Sequence, residues 1–83
     1  MDVKVFQRTQ RDLATAINLV IDRYWANEIT EPELMGVIKE LFINNQSKFL
    51  KEDKFTTVLR QQCGKRRLEI VSRILGVSDK TIK

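Results

Sequence analysis

Apolar residues recur at helical spacing through three stretches of the chain. From Gln10 they fall at Leu13, Ala16, Ile17, Val20, Ile21 and Tyr24, with Arg8, Arg11, Asp12, Asn18, Asp22 and Arg23 filling the other side. This pattern predicts a first helix over about 10–27, with Thr9 as its N-cap and Trp25 at the edge of the stripe. Leu34, Met35, Val37, Ile38, Leu41 and Phe42 repeat the period and predict a second helix over about 31–44. Leu68, Val71, Ile74 and Leu75, flanked by Ile70, predict a last helix over about 66–75 that ends at Gly76. Between them, residues 44–54 form a polar connector with Phe49 and Leu50 tucked beneath it. A short helix over about 56–62 follows, capped by Thr56 or Thr57 and stopped by Gly64 at a left-handed C′ position.

The stretch Ile29-Thr30-Glu31-Pro32-Glu33-Leu34 carries a complete helix start. Thr30 and Glu33 are spaced for a reciprocal capping box, and Ile29 and Leu34 for a hydrophobic staple. Pro32 lies in the first turn, where its missing N–H costs nothing. Glu31 and Glu33 put negative charge at the positive end of the helix dipole. The chain therefore turns a corner here, and the short connection favours an antiparallel pair. The expected fold is all-α: a single domain over residues 1–83, built as a long antiparallel helical hairpin followed by a short helix and a basic C-terminal helix. Tyr24 and Trp25 are expected to close the corner end of the core.

Charge changes this picture. The net charge is +4, and it is unevenly placed. Residues 1–53 hold seven Lys/Arg against nine Asp/Glu, whereas residues 54–83 hold eight against two. A basic C-terminal third on a mildly acidic body points to an anionic partner, either the phosphate backbone of a nucleic acid or an acidic protein surface. The bland alternative is a solvated helix face. The candidate contacts are Arg60, Lys65, Arg66, Arg67, Arg73, Lys80 and Lys83. Lys65-Arg66-Arg67 opens the last helix, the unfavourable end of the dipole for cations, which suggests a use for the cluster. Thr56, Thr57, Gln61 and Gln62 could add neutral hydrogen bonds.

Enzyme signals are scarce. The chain has no histidine, so the usual general base and the commonest metal ligand are missing. The single cysteine, Cys63, has no histidine to activate it; Lys65 and Arg66 could lower its pKa, and the plainer reading is an inert, semi-buried thiol. Three glycines cannot build a phosphate-cradling loop, and no acidic residues show metal-ligand spacing. Catalysis, a cofactor and a metal are therefore not expected. One cysteine permits no disulfide framework, which favours a reducing, cytoplasmic setting. No signal-like or membrane-spanning apolar run is present, so a membrane role is not expected.

Two partial motifs bear on DNA. Val3-Lys4-Val5-Phe6 ahead of two helices has the order of a ribbon-helix-helix dimer, in which Lys4 and Phe6 would face bases. Residues 68–83 resemble the opening of a helix-turn-helix, with Ser72 four before Gly76, Val77 beneath the turn, Ser78 as cap and Ile82 inward. The sequence ends after barely one turn of what would be the recognition helix, and a helix ended by Gly76 with a frayed tail explains the same residues.

The chain as a whole resembles a family of proteins of about this length from Gram-positive bacteria, their plasmids and phages. The resemblance is carried by Arg11-Asp12-Leu13-Ala14, Val20-Ile21-Asp22, Tyr24-Trp25, the Glu31-x-Glu33-Leu34 corner, and the run from Gln61 to Val71. It implies a mobile-element context and an intracellular, non-enzymatic role, and supplies no site residues. The leading expectation is a phage or mobile-element accessory protein that acts as a nucleic-acid-binding regulator. The alternative is a protein-binding inhibitor of a host enzyme or defence complex; a self-assembling helical structural protein, a homo-oligomer, is third.

Overall fold

A computed structural model describes residues 7–52 and 54–76. The described residues are mostly α-helical, with one very small antiparallel strand pair among them. In order it forms α1 (Gln10–Trp25), α2 (Glu31–Asn44), α3 (Gln46–Phe49), β1 (Leu50–Lys51), β2 (Lys54–Phe55) and α4 (Thr57–Leu75). The expected segments Val3–Phe6 and 77–83, with Lys80 and Lys83, lie outside the described residues.

α1 starts where Thr9 Oγ1 accepts from the backbone N–H of Asp12 at 3.0 Å. It ends two residues short of the expected boundary because Asn27 takes a left-handed conformation at φ 62°. The N–H of Asn27 then reaches Tyr24 O and that of Glu28 reaches Arg23 O, at 3.1 and 2.8 Å. This double closure is a Schellman motif with asparagine at its left-handed position. Thr30 opens α2 with both halves of the capping box in place. Glu33 N–H donates to Thr30 Oγ1 at 3.3 Å, and Thr30 N–H donates to Glu33 Oε1 at 3.1 Å. The corner is closed by these local bonds.

α1 buries Leu13, Ala14, Ala16, Ile17, Val20 and Ile21, and α2 contributes Leu34, Ile38 and Leu41. Phe49, Phe55, Leu59, Cys63, Leu68 and Val71 complete one continuous core. Phe42 meets Phe49 edge to face, with centroids 5.4 Å apart. The most extensive packing of α1 is against α4, ahead of α2. Tyr24 and Ile29 pack against the core as partly buried side chains. Trp25 does not: 44% of it is exposed. It sits on the polar line of α1 with Asn18 and Asp22, at i, i+4 and i+7, which faces the flank of α4 and not the α1–α2 seam.

The polar connector carries more structure than its composition suggests. Asn45 is buried and fastens it: its Nδ2 donates to Leu41 O at 2.7 Å, and its Oδ1 accepts from Gln7 N–H at 2.9 Å. Leu50 then pairs with Phe55 and Lys51 with Lys54, turning through Glu52 at φ 53°. Phe55, at 1% exposure, anchors this pair from below. Thr56 holds the N-cap position of α4, but its hydroxyl donates to Lys48 O at 3.1 Å and does not cap the helix. The expected threonine cap is absent because the buried hydroxyl fastens the hairpin to α3 instead.

Candidate binding surface

α4 is a single helical run with a break inside it. Gly64 has φ 82° and ψ 169°, so its φ is positive as expected, while its ψ is extended instead of left-handed helical. The chain there ends one helical segment and leads straight into the next. Such a break frees the carbonyls just before it, and buried carbonyls require partners.

Side chains supply them, one from α1 and one from the second segment of α4, while Cys63 itself donates to an α1 carbonyl. Asn18 Nδ2 donates to Gln62 O at 2.9 Å. The Cys63 thiol points at Ala14 O, with Sγ 3.8 Å away. From the second segment, Arg67 Nη1 donates back to Cys63 O at 3.3 Å. Arg67 is also the cation of an ion pair, with Nη2 and Nε at 2.7 and 3.2 Å from Asp22 Oδ1. Its guanidinium carbon lies 5.4 Å from the centroid of the Trp25 ring, and that of Arg66 lies 5.7 Å from it. One arginine therefore ties α1 to both segments of α4. Asn18 Oδ1 stays buried with no partner among the described residues.

The expected cluster Lys65-Arg66-Arg67 is divided by this arrangement. Lys65 and Arg66 are exposed, whereas Arg67 is half-buried and engaged inside the molecule. Arg73 is exposed about two turns further along, beside a recess of ≈ 280 Å³ lined with Tyr24, Glu31, Leu34, Ile70 and Ile74. Arg60 is half-buried near the start of α4, with Nη2 3.4 Å from Thr57 Oγ1. Among the described residues, no carboxylate pairs with Lys65, Arg66 or Arg73. The expected sites thus spread along α4 in one series. Arg60 stands by Gln10 at the beginning of α1, Arg66 over Trp25 at its end, and Arg73 beside Tyr24 and Glu31 at the corner.

Cys63 is buried, and burial pushes its thiol up to about 12, with Arg67 pulling only weakly the other way. A thiol held neutral in this way packs as a small apolar group, which agrees with the plainer reading of an inert thiol and not with the alternative of a pKa lowered by Lys65 and Arg66. Glu33 moves the opposite way: hydrogen bonds from the Thr30 backbone and hydroxyl hold its carboxyl below the usual range. Among the described residues, no three of His, Cys, Asp and Glu gather closely enough for a metal ion, and no helix is long and apolar enough to cross a membrane.

Two features went unread in the sequence. Trp25 is expected at the corner end of the core, although its place with Asn18 and Asp22 on one polar helix line is a signal against that. Lys51 and Lys54 were invisible as a pair, because nothing in the polar connector shows that they face each other.

The described residues make a mostly helical fold, and the family comparison agrees with the sequence resemblance only in pointing to a family of conserved hypothetical proteins. The chain belongs to the family described as conserved hypothetical protein, whose model matches residues 4–76. Neither curated proteins nor solved structures gave a match.

Proposed function

We propose that this protein acts by binding nucleic acid through phosphate contacts along α4, as a non-enzymatic regulator carried by a phage or mobile element. The observation that supports it best is the row Arg60, Lys65, Arg66 and Arg73. None of the four pairs with a carboxylate among the described residues. Lys80 and Lys83 extend the same basic run in sequence. In this reading the α1–α2 hairpin is the frame, and α4 lies along α1 as the working element. Arg67 leaves the list of direct contacts and becomes the anchor of the frame.

Cations on an exposed helix attract polyanions without reading sequence, and each phosphate contact releases counterions. With about four contacts, affinity for duplex DNA should fall with salt at a log–log slope of roughly −3 to −4. A fluorescence-anisotropy titration across salt concentrations tests this, and a flat response removes the reading.

A second reading is favoured by Trp25. A half-exposed tryptophan flanked by two arginine guanidinium groups has the composition of a protein-binding hot spot. As an inhibitor, the protein would set Trp25, Lys65 and Arg66 against an acidic groove of a host protein. That reading expects Trp25→Ala to abolish function while leaving DNA affinity unchanged. Self-association is third, supported by Ile43 on α2, which is 66% exposed.

A further inference from the structure

The side of the molecule carrying the β1–β2 hairpin holds a second concentration of positive charge, apart from Lys65 and Arg66. Leu50 and Phe55 pair across the hairpin and turn inward, with Phe55 buried. The next pair, Lys51 and Lys54, is thereby placed directly opposite, and both lysines are exposed. Like charges facing each other across an antiparallel pair repel. The third cation is Arg60, with Nη2 3.4 Å from Thr57 Oγ1.

These three cations line one recess of ≈ 400 Å³, together with Gln10, Glu52, Phe55, Thr56 and Thr57. Glu52 is the one carboxylate among the described residues of that lining, whose side chains together carry two positive charges in excess. Two ammonium groups, a guanidinium fork, an amide and a hydroxyl give it more donors than its own acceptors use. Such a set matches a group with several anionic oxygens, and arginine adds the paired geometry that suits phosphate.

We propose that this recess binds the phosphoryl group of a phosphate monoester. Its volume lies within the range of roughly 300–1,000 Å³ typical of small-molecule pockets, so it also has room for part of what the phosphate is attached to. Lys51 and Lys54 share the charge of the phosphate, which relieves their mutual repulsion, and Arg60 takes its oxygens from the α4 side. The site does not depend on the duplex-binding reading, since it needs neither Lys65 nor Arg66. The monoester can come from a free mononucleotide or from the 5′ end of a nucleic acid.

Isothermal titration of the full chain, backed by amide NMR shifts, tests the site with three probes. These are inorganic phosphate, adenosine 5′-monophosphate, and a short single-stranded oligonucleotide with a 5′-phosphate or a 5′-hydroxyl. The expected result is saturable binding of inorganic phosphate, with shifts at Gln10, Lys51, Lys54 and Thr57. Lys54→Gln and Arg60→Gln should each weaken it by about tenfold, the loss of one charge-assisted contact. Lys65→Gln, equal in charge lost, should leave it unchanged. A preference for the 5′-phosphorylated oligonucleotide over adenosine monophosphate assigns the site to chain ends, and the reverse assigns it to free nucleotides. Lys54 is exposed, so its variant keeps the fold, and an unchanged circular dichroism melt verifies that. Absence of saturable phosphate binding, or equal weakening by Lys65→Gln, overturns the site.

Discussion

The corner between α1 and α2 and the break inside α4 are both places where a helix stops and another begins. They are held by opposite means. At the corner every bond is local: Thr30 and Glu33 are three residues apart, and Asn27 and Glu28 close on Tyr24 and Arg23. At the break one bond is local, from Arg67 to Cys63 O, and the others reach across the chain, at sequence separations of 44 for Asn18 and Gln62, 45 for Asp22 and Arg67, and 49 for Ala14 and Cys63. A corner made of neighbours can be written into a short stretch of sequence and can form wherever that stretch is placed. A break held from another helix exists only when the tertiary fold is present. The difference bears on the proposed function, because it decides which cations of α4 face outward.

The largest expected effect comes from Gly64. Its backbone lies in a region that is essentially glycine-only, although a Cβ there would touch nothing within 4 Å. Gly64→Ala should therefore destabilise by about 1–3 kcal/mol through backbone strain alone, measured by urea unfolding. Gly76 provides the internal contrast. At φ 69° and ψ 24° it is a left-handed cap whose N–H reaches Ser72 O at 2.9 Å, a conformation asparagine tolerates. Gly76→Asn should be mild and Gly64→Asn should not; equal costs would break the distinction.

Next comes Arg67→Ala, which removes the ion pair, the contact with Trp25 and the donor to Cys63 O together. The pair is partly solvated, so salt and water screen it, and a total of about 1–2 kcal/mol is expected. The sharper outcome is negative: Arg67→Lys should destabilise the fold yet change DNA affinity less than Arg66→Gln. A DNA effect of Arg67→Lys equal to that of Arg66→Gln would return Arg67 to the binding surface. At the corner, Thr30→Ala should cost about 1 kcal/mol, the usual worth of an N-cap.

The smallest effects are titrations, and the two regions differ in sign. Cys63 has a folded pKa raised to about 12, above an ordinary thiol value of about 8.5. The stability it contributes is complete below roughly pH 8.5 and is lost as the pH rises toward 12. Cys63→Ala should flatten that alkaline loss in thermal melts, whereas an unchanged slope would contradict the assignment. Glu33 has a depressed folded pKa, so its contribution is present above the ordinary carboxyl range and fades as the pH falls through the folded value. The stability gap between the native chain and Glu33→Gln should narrow in acid and stay constant above about pH 5.

The same contrast explains what could be read from residue order alone. The capping box at Thr30, the cap at Thr9, the glycine end at Gly76 and the apolar stripes of α1 and α2 depend on spacings of a few residues, and all were legible. The hairpin at Leu50–Phe55 was not, because it is held by Phe55 in the core and by Asn45 and Thr56 bonding to other elements. The basic run was legible as charge but not as surface. Nothing in Lys65-Arg66-Arg67 tells which cation turns inward; Asp22 and Trp25, far away in sequence, decide it for Arg67. Lys51 and Lys54 escaped notice for the same reason, since only the hairpin register places them together.

The claim that α4 grips an anionic polymer through Lys65 and Arg66 is tested most directly by the salt dependence of DNA affinity in the double variant Lys65→Gln/Arg66→Gln. With two contacts removed, the magnitude of the log–log slope should fall by about 1.8 relative to the native chain, with the circular dichroism melt unchanged. A native chain with a steep slope and a double variant with the same slope would place the binding surface elsewhere on the molecule.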